Sequence, residues 1–204
     1  GHPLVPNRQR MMRVLIACEY SGAVRDAFIA AGHAAMSCDL LPTDSPGPHY
    51  TGDVFDVIGD EWDLMIAHPP CTDLAVSGAK HFAAKRADGR QQQALEFVQR
   101  LLDAPVPRIA LENPVSIIST HIRKPDQIIQ PWQFGHEATK TTCLWLKGLP
   151  HLTPTNIVGK GARHVTKSGK SLPRWYNLPP SADRWKIRSA TFKGIAAAMA
   201  AQWG

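Results

Sequence analysis

The feature that most constrains this chain is an alternation of short apolar runs with stretches of helical periodicity. Such alternation predicts an α/β fold, with a mainly parallel sheet and helices on both faces. The predicted strands are Arg13–Ala17, Ala34–Cys38, Asp63–Ala67, Pro107–Leu111 and Thr142–Leu146, and the predicted helices are Ala23–Ala31, Gln91–Leu102 and Thr191–Trp203.

Length and composition indicate one ordered domain with room for a small additional lobe. The chain has 204 residues, of which 44% are hydrophobic and 20% charged, which is typical of globular proteins. No apolar run approaches the roughly 18 residues that span a bilayer, and the run Val14–Cys18 is too short for a secretory signal. We therefore expect a cytoplasmic protein without a membrane partner. Residues 1–10 resemble a tag and a flexible start.

The four cysteines, at positions 18, 38, 71 and 143, are widely spaced and form no CxxC pair. Zinc sites and disulfide frameworks in short chains depend on closer, paired spacings. We therefore predict reduced thiols and no metal site.

Positive charge is concentrated between residues 147 and 188, where nine Lys or Arg residues face one acid, Asp183, in a chain of net charge +6. Aromatic residues interleave with these cations, a combination that suits a phosphate backbone and unstacked bases. The pattern favours a small basic lobe that binds nucleic acid over a solvated basic surface. The candidate contacts are Lys160, Arg163, Lys167, Lys170, Arg174, Trp175, Arg184 and Lys186.

Polar residues follow the predicted strands at the points where ligands bind in open α/β sheets. The small-residue turn Ser21-Gly22 follows the first strand, and Asp39 follows the second. This arrangement resembles half of a nucleoside site, in which Asp39 accepts from ribose hydroxyls and Asp53 from an adenine amino group. Because the turn lacks GxGxxG, S-adenosylmethionine is favoured over a dinucleotide. Cap or turn roles remain alternatives for both acids.

A thiol and a carboxyl group occupy the other strand ends. Cys71 follows two prolines that fix its backbone, and Glu112 ends an apolar strand. A rigid thiol beside a partly buried carboxyl suggests nucleophilic addition to a heterocycle with acid assistance. The alternatives are a packing role for Cys71 and a cap or ion-pair role for Glu112.

Four segments resemble the DNA cytosine-5 methyltransferases. DLMIAHPPCTDLAVSG (residues 63–78) resembles their Pro-Cys segment, IALENP (109–114) their Glu-Asn segment and TGDV (51–54) their adenine-contacting segment. RSATFKGIAAAMAAQWG (188–204) is similar to their final helix. The similarity covers residues 13–149 and 188–204, and a compact chain of this kind resembles the phage-encoded members.

The resemblance implies a Rossmann-like S-adenosylmethionine-dependent methyltransferase fold, with a catalytic domain at 11–146 plus 189–204 and a DNA-recognition lobe at 147–188. Cys71 would add to carbon 6 of a flipped cytosine and Glu112 would protonate ring nitrogen 3. Asn113 would orient the loop, and Lys140 is the nearby cation. The implied cofactor contacts are Glu19, Tyr20, Ser21, Gly22, Asp39, Leu40, Asp53, Val54, His68 and Pro70.

The chain departs from the family pattern in its first turn, CEYSG, and at His68 and Pro69, and it lacks the Gln-x-Arg-x-Arg segment. Some relatives use carboxy-S-adenosylmethionine, so a larger or charged group recognised by His68, Lys140 or Arg25 is one alternative. A non-catalytic DNA-binding relative and an enzyme of free cytosine nucleotides are the others. DNA is the expected partner, of a monomeric protein.

Overall fold

A computed structural model describes residues 10–75, 89–165, 171–173 and 190–204. Within these ranges the strands are β1 (Arg13–Ala17), β2 (Ala34–Asp39), β3 (His49–Thr51), β4 (Leu64–Ala67), β5 (Arg108–Asn113), β6 (Gln127–Ile129), β7 (Thr142–Lys147), β8 (Arg163–Val165) and β9 (Ser171–Pro173). The α-helices are α1 (Ala23–Ala30), α2 (Arg90–Leu102), α3 (Ile118–His121) and α4 (Lys193–Trp203), and 3₁₀ turns cover Val54–Asp56 and Pro131–Gln133.

Strands β1 to β7 form one sheet in the order β3-β2-β1-β4-β5-β7-β6. The pairs from β3 to β5 are parallel, whereas β7 runs antiparallel to both β5 and β6. Ala17, the last residue of β1, pairs with Cys38 on one side and Ala67 on the other. The chain therefore leaves β1 toward one edge of the sheet and later returns to build the other. This reversal opens a crevice at the carboxyl ends of β1 and β4.

The central strands are buried on both faces, which explains their continuous apolar sequence. Every residue of β4 is fully inaccessible to solvent, as are Val14, Leu15, Ile16 and Ala17 of β1. Leu15 and Met65 pack with α2, while Val14 and Ile16 pack with α1 and α4. Burying each large side chain contributes about 1.5–3 kcal/mol to the free energy of folding. The packing of these helices on the central strands therefore stabilises the domain.

The final helix α4 packs against α1 and the first strand. Trp203 is fully buried, and its indole Nε1 donates to the carbonyl of Pro150 at 2.8 Å. At the start of the helix, a Cβ on Gly194 would lie 2.1 Å from the carbonyl oxygen of Phe134. Only glycine permits that close approach. The predicted helix Thr191–Trp203 therefore forms, two residues shorter at its beginning.

Residues at the start of the predicted basic lobe pack on the main domain. Leu152 is 2% exposed, and the side chain of Gln127 exchanges two hydrogen bonds with its backbone. Thr153 makes a similar pair with Gln202 of α4. The start of the expected lobe is therefore in contact with the main domain, and the boundary expected at residue 147 stays a prediction. None of the described helices is long and apolar enough to cross a membrane.

Candidate functional site

A cleft of about 400 Å³ opens at the carboxyl ends of β1 and β2 and is closed on its far side by α2. Its volume falls within the range of small-molecule sites. Five predicted cofactor contacts line it, namely Asp39, Leu40, Asp53, Val54 and Pro70. The sequence did not single out the other wall residues, which include Cys18, Cys38, Asp73, Arg90, Ala94 and Phe97.

The two carboxylates on the cleft wall also hold their own loops. Asp39 Oδ1 accepts a hydrogen bond from the backbone N–H of Leu41 at 2.8 Å. Asp53 Oδ1 accepts from the N–H of Phe55 at 2.9 Å and caps the following 3₁₀ turn. The turn roles weighed for both acids are therefore present, and they fix the carboxyl groups at the cleft. A second oxygen on each carboxylate is chemically suited to accept from a ligand hydroxyl or amino group.

The cleft also has an apolar wall. Leu40 is 77% exposed, the largest exposure among the exposed hydrophobic residues of the described chain. Val54 and Ala94 line the same cleft, as does Phe97, whose ring meets Phe55 edge-on at 5.5 Å between centroids. Carboxylates beside an apolar wall match a nucleoside, which combines a flat heterocycle with hydroxyl groups.

The two thiols on the cleft wall are unsuited to nucleophilic attack. Burial raises the pKa of Cys18 well above its usual range, and Asp39 adds to the effect. Burial also raises the pKa of Cys38 to about 11, again with a contribution from Asp39. Both thiols are therefore protonated at neutral pH, and the thiolate is the reactive form of cysteine.

In the turn between β1 and α1, a side chain of the protein itself occupies the backbone N–H groups at the start of the helix. Glu19 is buried, and its carboxylate accepts from the backbone N–H groups of Val24 and Arg25 at 3.0 and 3.1 Å. It thereby caps the N-terminus of α1, where a Rossmann-type site would hold a pyrophosphate. A second anion there would be repelled, so the geometry favours a ligand without phosphate. Glu19, Tyr20, Ser21, Gly22 and His68 are not among the described residues that line this cleft, and their implied cofactor contacts stay predictions.

Cys71 is exposed and directly follows Pro70 of the cleft wall. Its carbonyl accepts from the N–H groups of Leu74 and Ala75 at 3.0 and 2.8 Å, so a turn begins at the cysteine. On the neighbouring strand, the buried side chain of Asn113 donates from Nδ2 to the carbonyl of Pro69 at 3.0 Å. This bond joins the end of β5 to the segment that carries the thiol.

Glu112 faces His68, the first residue after β4. His68 Nδ1 lies 3.5 Å from Glu112 Oε2, and both side chains are largely buried, at 15% and 17% exposure. Burial opposes ionisation of Glu112, but His68 and then Lys140 outweigh it, and the pKa of Glu112 falls below its usual value. Glu112 is therefore ionised in the free protein. The sequence had offered an ion-pair partner as one alternative for this acid, and the structure identifies it as His68.

Lys140, in the segment before β7, lies near Glu112 and Cys71. Burial lowers the pKa of its ammonium group, while Glu112 and Cys71 act in the opposite direction. Its Nζ lies 5.9 Å from the ring centroid of Phe192. The structure thus brings Cys71, Glu112, Asn113 and Lys140 together with His68, which the resemblance had assigned to the cofactor. These five residues form the reactive cluster.

Arg25 does not belong to this cluster. It is fully buried, and its guanidinium donates to Ser37 Oγ at 3.0 Å, Thr43 Oγ1 at 3.1 Å and the carbonyl of Ser45 at 2.7 Å. A Cβ on Gly47 would lie 2.7 Å from the same group. Arg25 therefore holds the loop between β2 and β3, which contradicts the alternative in which it recognises a transferred group.

Of the candidate DNA contacts, Lys160 is joined to the segment that carries Lys140. Its Nζ stands 5.3 Å from the Trp132 ring centroid, and its carbonyl accepts from Thr139 Oγ1 at 3.0 Å, one residue before Lys140. Arg163 begins β8. The remaining candidates, Lys167, Lys170, Arg174, Trp175, Arg184 and Lys186, lie outside the described residues.

Comparison with known proteins supports the assignment of the fold. No family model matches the chain, and no curated protein matches it. Among solved structures, the methyltransferase EhMeth of Entamoeba histolytica is similar, with a TM-score of 0.50, 14% identity, and coverage of 74% of this chain and 58% of EhMeth. The chain has a Rossmann-like methyltransferase fold. It spans just over half the length of EhMeth, and at this identity the likeness extends to the fold alone.

Proposed function

We propose that this protein is a DNA cytosine-5 methyltransferase that uses S-adenosylmethionine and forms a covalent adduct through Cys71. The observation that carries the proposal is that the exposed Cys71 directly follows a residue of the cleft wall, while Glu112 and Lys140 lie in the same cluster. A thiol, an acid and a cation at the edge of a nucleoside-sized cleft are what addition to a pyrimidine requires.

The cleft fits the cofactor. Asp39 and Asp53 offer acceptors for ribose hydroxyls and an adenine amino group, and Leu40 and Phe97 offer an apolar surface for the ring. The capped N-terminus of α1 leaves no amide site for a phosphate, and S-adenosylmethionine has none. When bound, S-adenosylmethionine would supply an electrophilic methyl group.

Cys71 would act on the cytosine. Its thiolate forms a bond to carbon 6, and the electron pair of the ring double bond moves toward nitrogen 3, which takes up a proton. Carbon 5 thereby becomes nucleophilic and is the position that gains the methyl group. Water then takes up the carbon 5 proton, nitrogen 3 returns its added proton to Glu112, and cleavage of the sulfur–carbon 6 bond regenerates the thiolate and the aromatic ring.

Glu112 and Lys140 would stabilise the charge that develops during this addition. Glu112 would act at the ring nitrogen, and the ammonium of Lys140, the cation that stands where the family has its Gln-x-Arg-x-Arg segment, would offset negative charge on the exocyclic oxygen. Lys140 is half-buried, which strengthens its electrostatic effect relative to a cation in water.

A duplex cytosine must leave the base stack to reach such a cluster, at a cost of a few kcal/mol. The basic segment 147–188 would hold the phosphates while the base is out. Lys160 and Trp132 supply a cation and an aromatic ring, and a hydrogen bond joins the Lys160 carbonyl to Thr139, next to Lys140. These features support duplex DNA rather than a free nucleotide as the substrate.

Duplex DNA containing 5-fluorocytosine tests the proposal, because fluorine on carbon 5 blocks the last elimination and leaves the adduct intact. Denaturing electrophoresis with S-adenosylmethionine should show a covalent protein–DNA species, and peptide mass spectrometry should place the bond on Cys71. The Cys71→Ser variant is the matched control and should form none. An adduct on another residue, or none from the wild-type protein, would contradict the proposal.

A further inference from the structure

His68 lies between two carboxylates. Its backbone N–H donates to the carbonyl of Ala17 at 2.9 Å, which fixes the residue at the end of β4. From there, Nδ1 is 3.5 Å from Glu112 Oε2 and Nε2 is 4.0 Å from Glu19 Oε2. Three titratable side chains from three adjacent segments therefore meet in the interior, at the base of the reactive cluster.

The two carboxylates are not equivalent. Burial raises the pKa of Glu19 against the opposing effects of His68 and of the N–H groups that Glu19 caps. Glu112 has the lowered pKa, and it has Lys140 as a second cationic neighbour. The positive charge on His68 is therefore balanced chiefly by Glu112, while Glu19 is committed to capping α1.

The surroundings of His68 raise the pKa of its imidazole. Burial alone would lower the pKa of the imidazole, and Lys140 acts in the same direction, but Glu112 and then Glu19 outweigh them and the pKa rises above its usual value. Within the described part of the chain, Nε2 of His68 and Oε2 of Glu112 are buried without a hydrogen-bond partner. The 3.5 Å between Nδ1 of His68 and Oε2 of Glu112 is slightly longer than a good hydrogen bond, so a small movement of the two side chains toward each other would form one.

An ionised Glu112 cannot give a proton to ring nitrogen 3, yet the addition of Cys71 to carbon 6 needs one there. We propose that His68 is the proton reserve for Glu112 in the cytosine reaction, an inference that rests on the proposed function. As Cys71 adds, the imidazolium gives its Nδ1 proton to the Glu112 carboxylate, and Glu112 gives a proton to nitrogen 3. His68 ends neutral, Glu112 stays ionised and the ring carries the proton. Elimination of the thiolate reverses the transfer.

His68 therefore acts through Glu112. It is a positioning residue that holds the proton which Glu112 passes to the ring. In a variant without the imidazole, Glu112 would have to bind a proton from solvent before each turnover. Protonation of a carboxyl group becomes easier as pH falls, so such a variant should recover at acidic pH. A purely structural ion pair would lower activity by a similar factor at every pH.

The test compares turnover of the wild-type protein, His68→Gln and a control, His121→Gln, between pH 6 and pH 8 on duplex DNA. His121 is exposed at the end of α3 and lies outside both the cluster and the segment 147–188. We expect His68→Gln to lose about 100-fold in kcat at pH 8 and less than about 10-fold at pH 6, in line with the typical contribution of acid–base catalysis. Cofactor affinity and the His121→Gln profile should match the wild type. An equal loss at both pH values, or no loss, would overturn the inference.

Two further measurements separate this inference from the proposed function and from misfolding. The 5-fluorocytosine adduct of the wild-type protein reports on the proposed function. If the wild-type protein forms the adduct but His68→Gln loses the same factor in kcat at every pH, only the role of His68 as a proton reserve is overturned. Wild-type protein without an adduct overturns both. NMR titration of the His68 ring needs no substrate: its pKa should exceed that of a free histidine and fall in Glu112→Gln. An imidazole pKa unchanged by Glu112→Gln would contradict the inference even if His68→Gln fails to fold.

Discussion

The side-chain amide of Asn113 donates a 3.0 Å hydrogen bond to the carbonyl of Pro69, two residues before Cys71. Asn113 ends β5 directly after Glu112, and the amide is almost completely buried. The bond therefore sets the distance between the strand that carries the acid and the turn that carries the thiol. In the proposed reaction both groups act on one ring, so this distance controls the chemistry.

Replacement of Asn113 by alanine should affect turnover more than cofactor binding. The change removes the donor and leaves the Pro69 carbonyl without it, which costs about 1–3 kcal/mol in the free energy of unfolding. Misplacement of the Cys71 turn should lower kcat by about 100-fold. Thermal unfolding, cofactor calorimetry and kinetics measure the three quantities. Gln99→Ala, which removes an exposed side-chain amide that donates to Asp103, is the control. Unchanged kcat in Asn113→Ala would show that the bond does not position the thiol.

Asp39→Asn and Asp53→Asn should each weaken binding of the cofactor product by about 1–3 kcal/mol. Asparagine keeps the oxygen that caps the local turn, so the melting temperature should change little. Asp103→Asn provides a matched control, because Asp103 is exposed at the end of α2 and accepts from Gln99. Calorimetry that finds unchanged affinity in both cleft variants would place the cofactor elsewhere.

The His68–Glu112 pair should make stability depend on pH in a defined window. The lowered pKa of Glu112 contributes stability that is present above 4.5 and is lost as pH falls through the lowered value, whereas the raised pKa of His68 contributes stability that is present below 6.5 and is lost as pH rises through the raised value. The wild type should therefore gain most over a His68→Gln/Glu112→Gln double variant between pH 4.5 and 6.5. Chemical denaturation across pH measures this difference, and a constant difference would refute the pairing.

Much of the fold could be predicted because burial on both faces leaves a clear signal in sequence. Strands β1 and β4 are continuous apolar runs, and their predicted limits agree with the structure to within one residue. The three-residue strands β3 and β6 were missed, since so short a segment carries no periodicity. The parallel sheet was expected, but the antiparallel direction of β7 follows from tertiary packing.

The candidate site was predictable where it depends on strand ends and not where it depends on long-range contacts. Cys71 and Glu112 were identified because each follows an apolar run. His68 was assigned to the cofactor, although β4 and β5 are neighbours and place it 3.5 Å from Glu112. The helical period of α2 marks Phe97 as apolar without showing that it lines the cleft. Arg25, fully buried under a loop, gave no signal of that role.

The basic segment should make DNA binding steeply dependent on salt, with a slope of about −0.9 in log affinity against log salt concentration for each phosphate neutralised. Alanine substitutions at Lys167, Lys170 and Arg174 should weaken binding to all sequences similarly and flatten the slope by about one per lost contact. Lys124→Ala, at an exposed lysine outside the segment, should leave the slope unchanged. Binding titrations at several salt concentrations test this. An affinity that does not change with salt would mean that the segment is a solvated surface.

The central claim is that Cys71 enables methyl transfer to carbon 5 of cytosine. The most direct measurement is mass spectrometry of nucleosides from DNA incubated with the protein and S-adenosylmethionine. The wild-type protein should produce 5-methylcytosine. Cys71→Ser should produce none while keeping its melting temperature and cofactor affinity, because the thiol is exposed and serine is a much weaker nucleophile. Methylated adenine, unmodified cytosine, or full activity in Cys71→Ser would contradict the account.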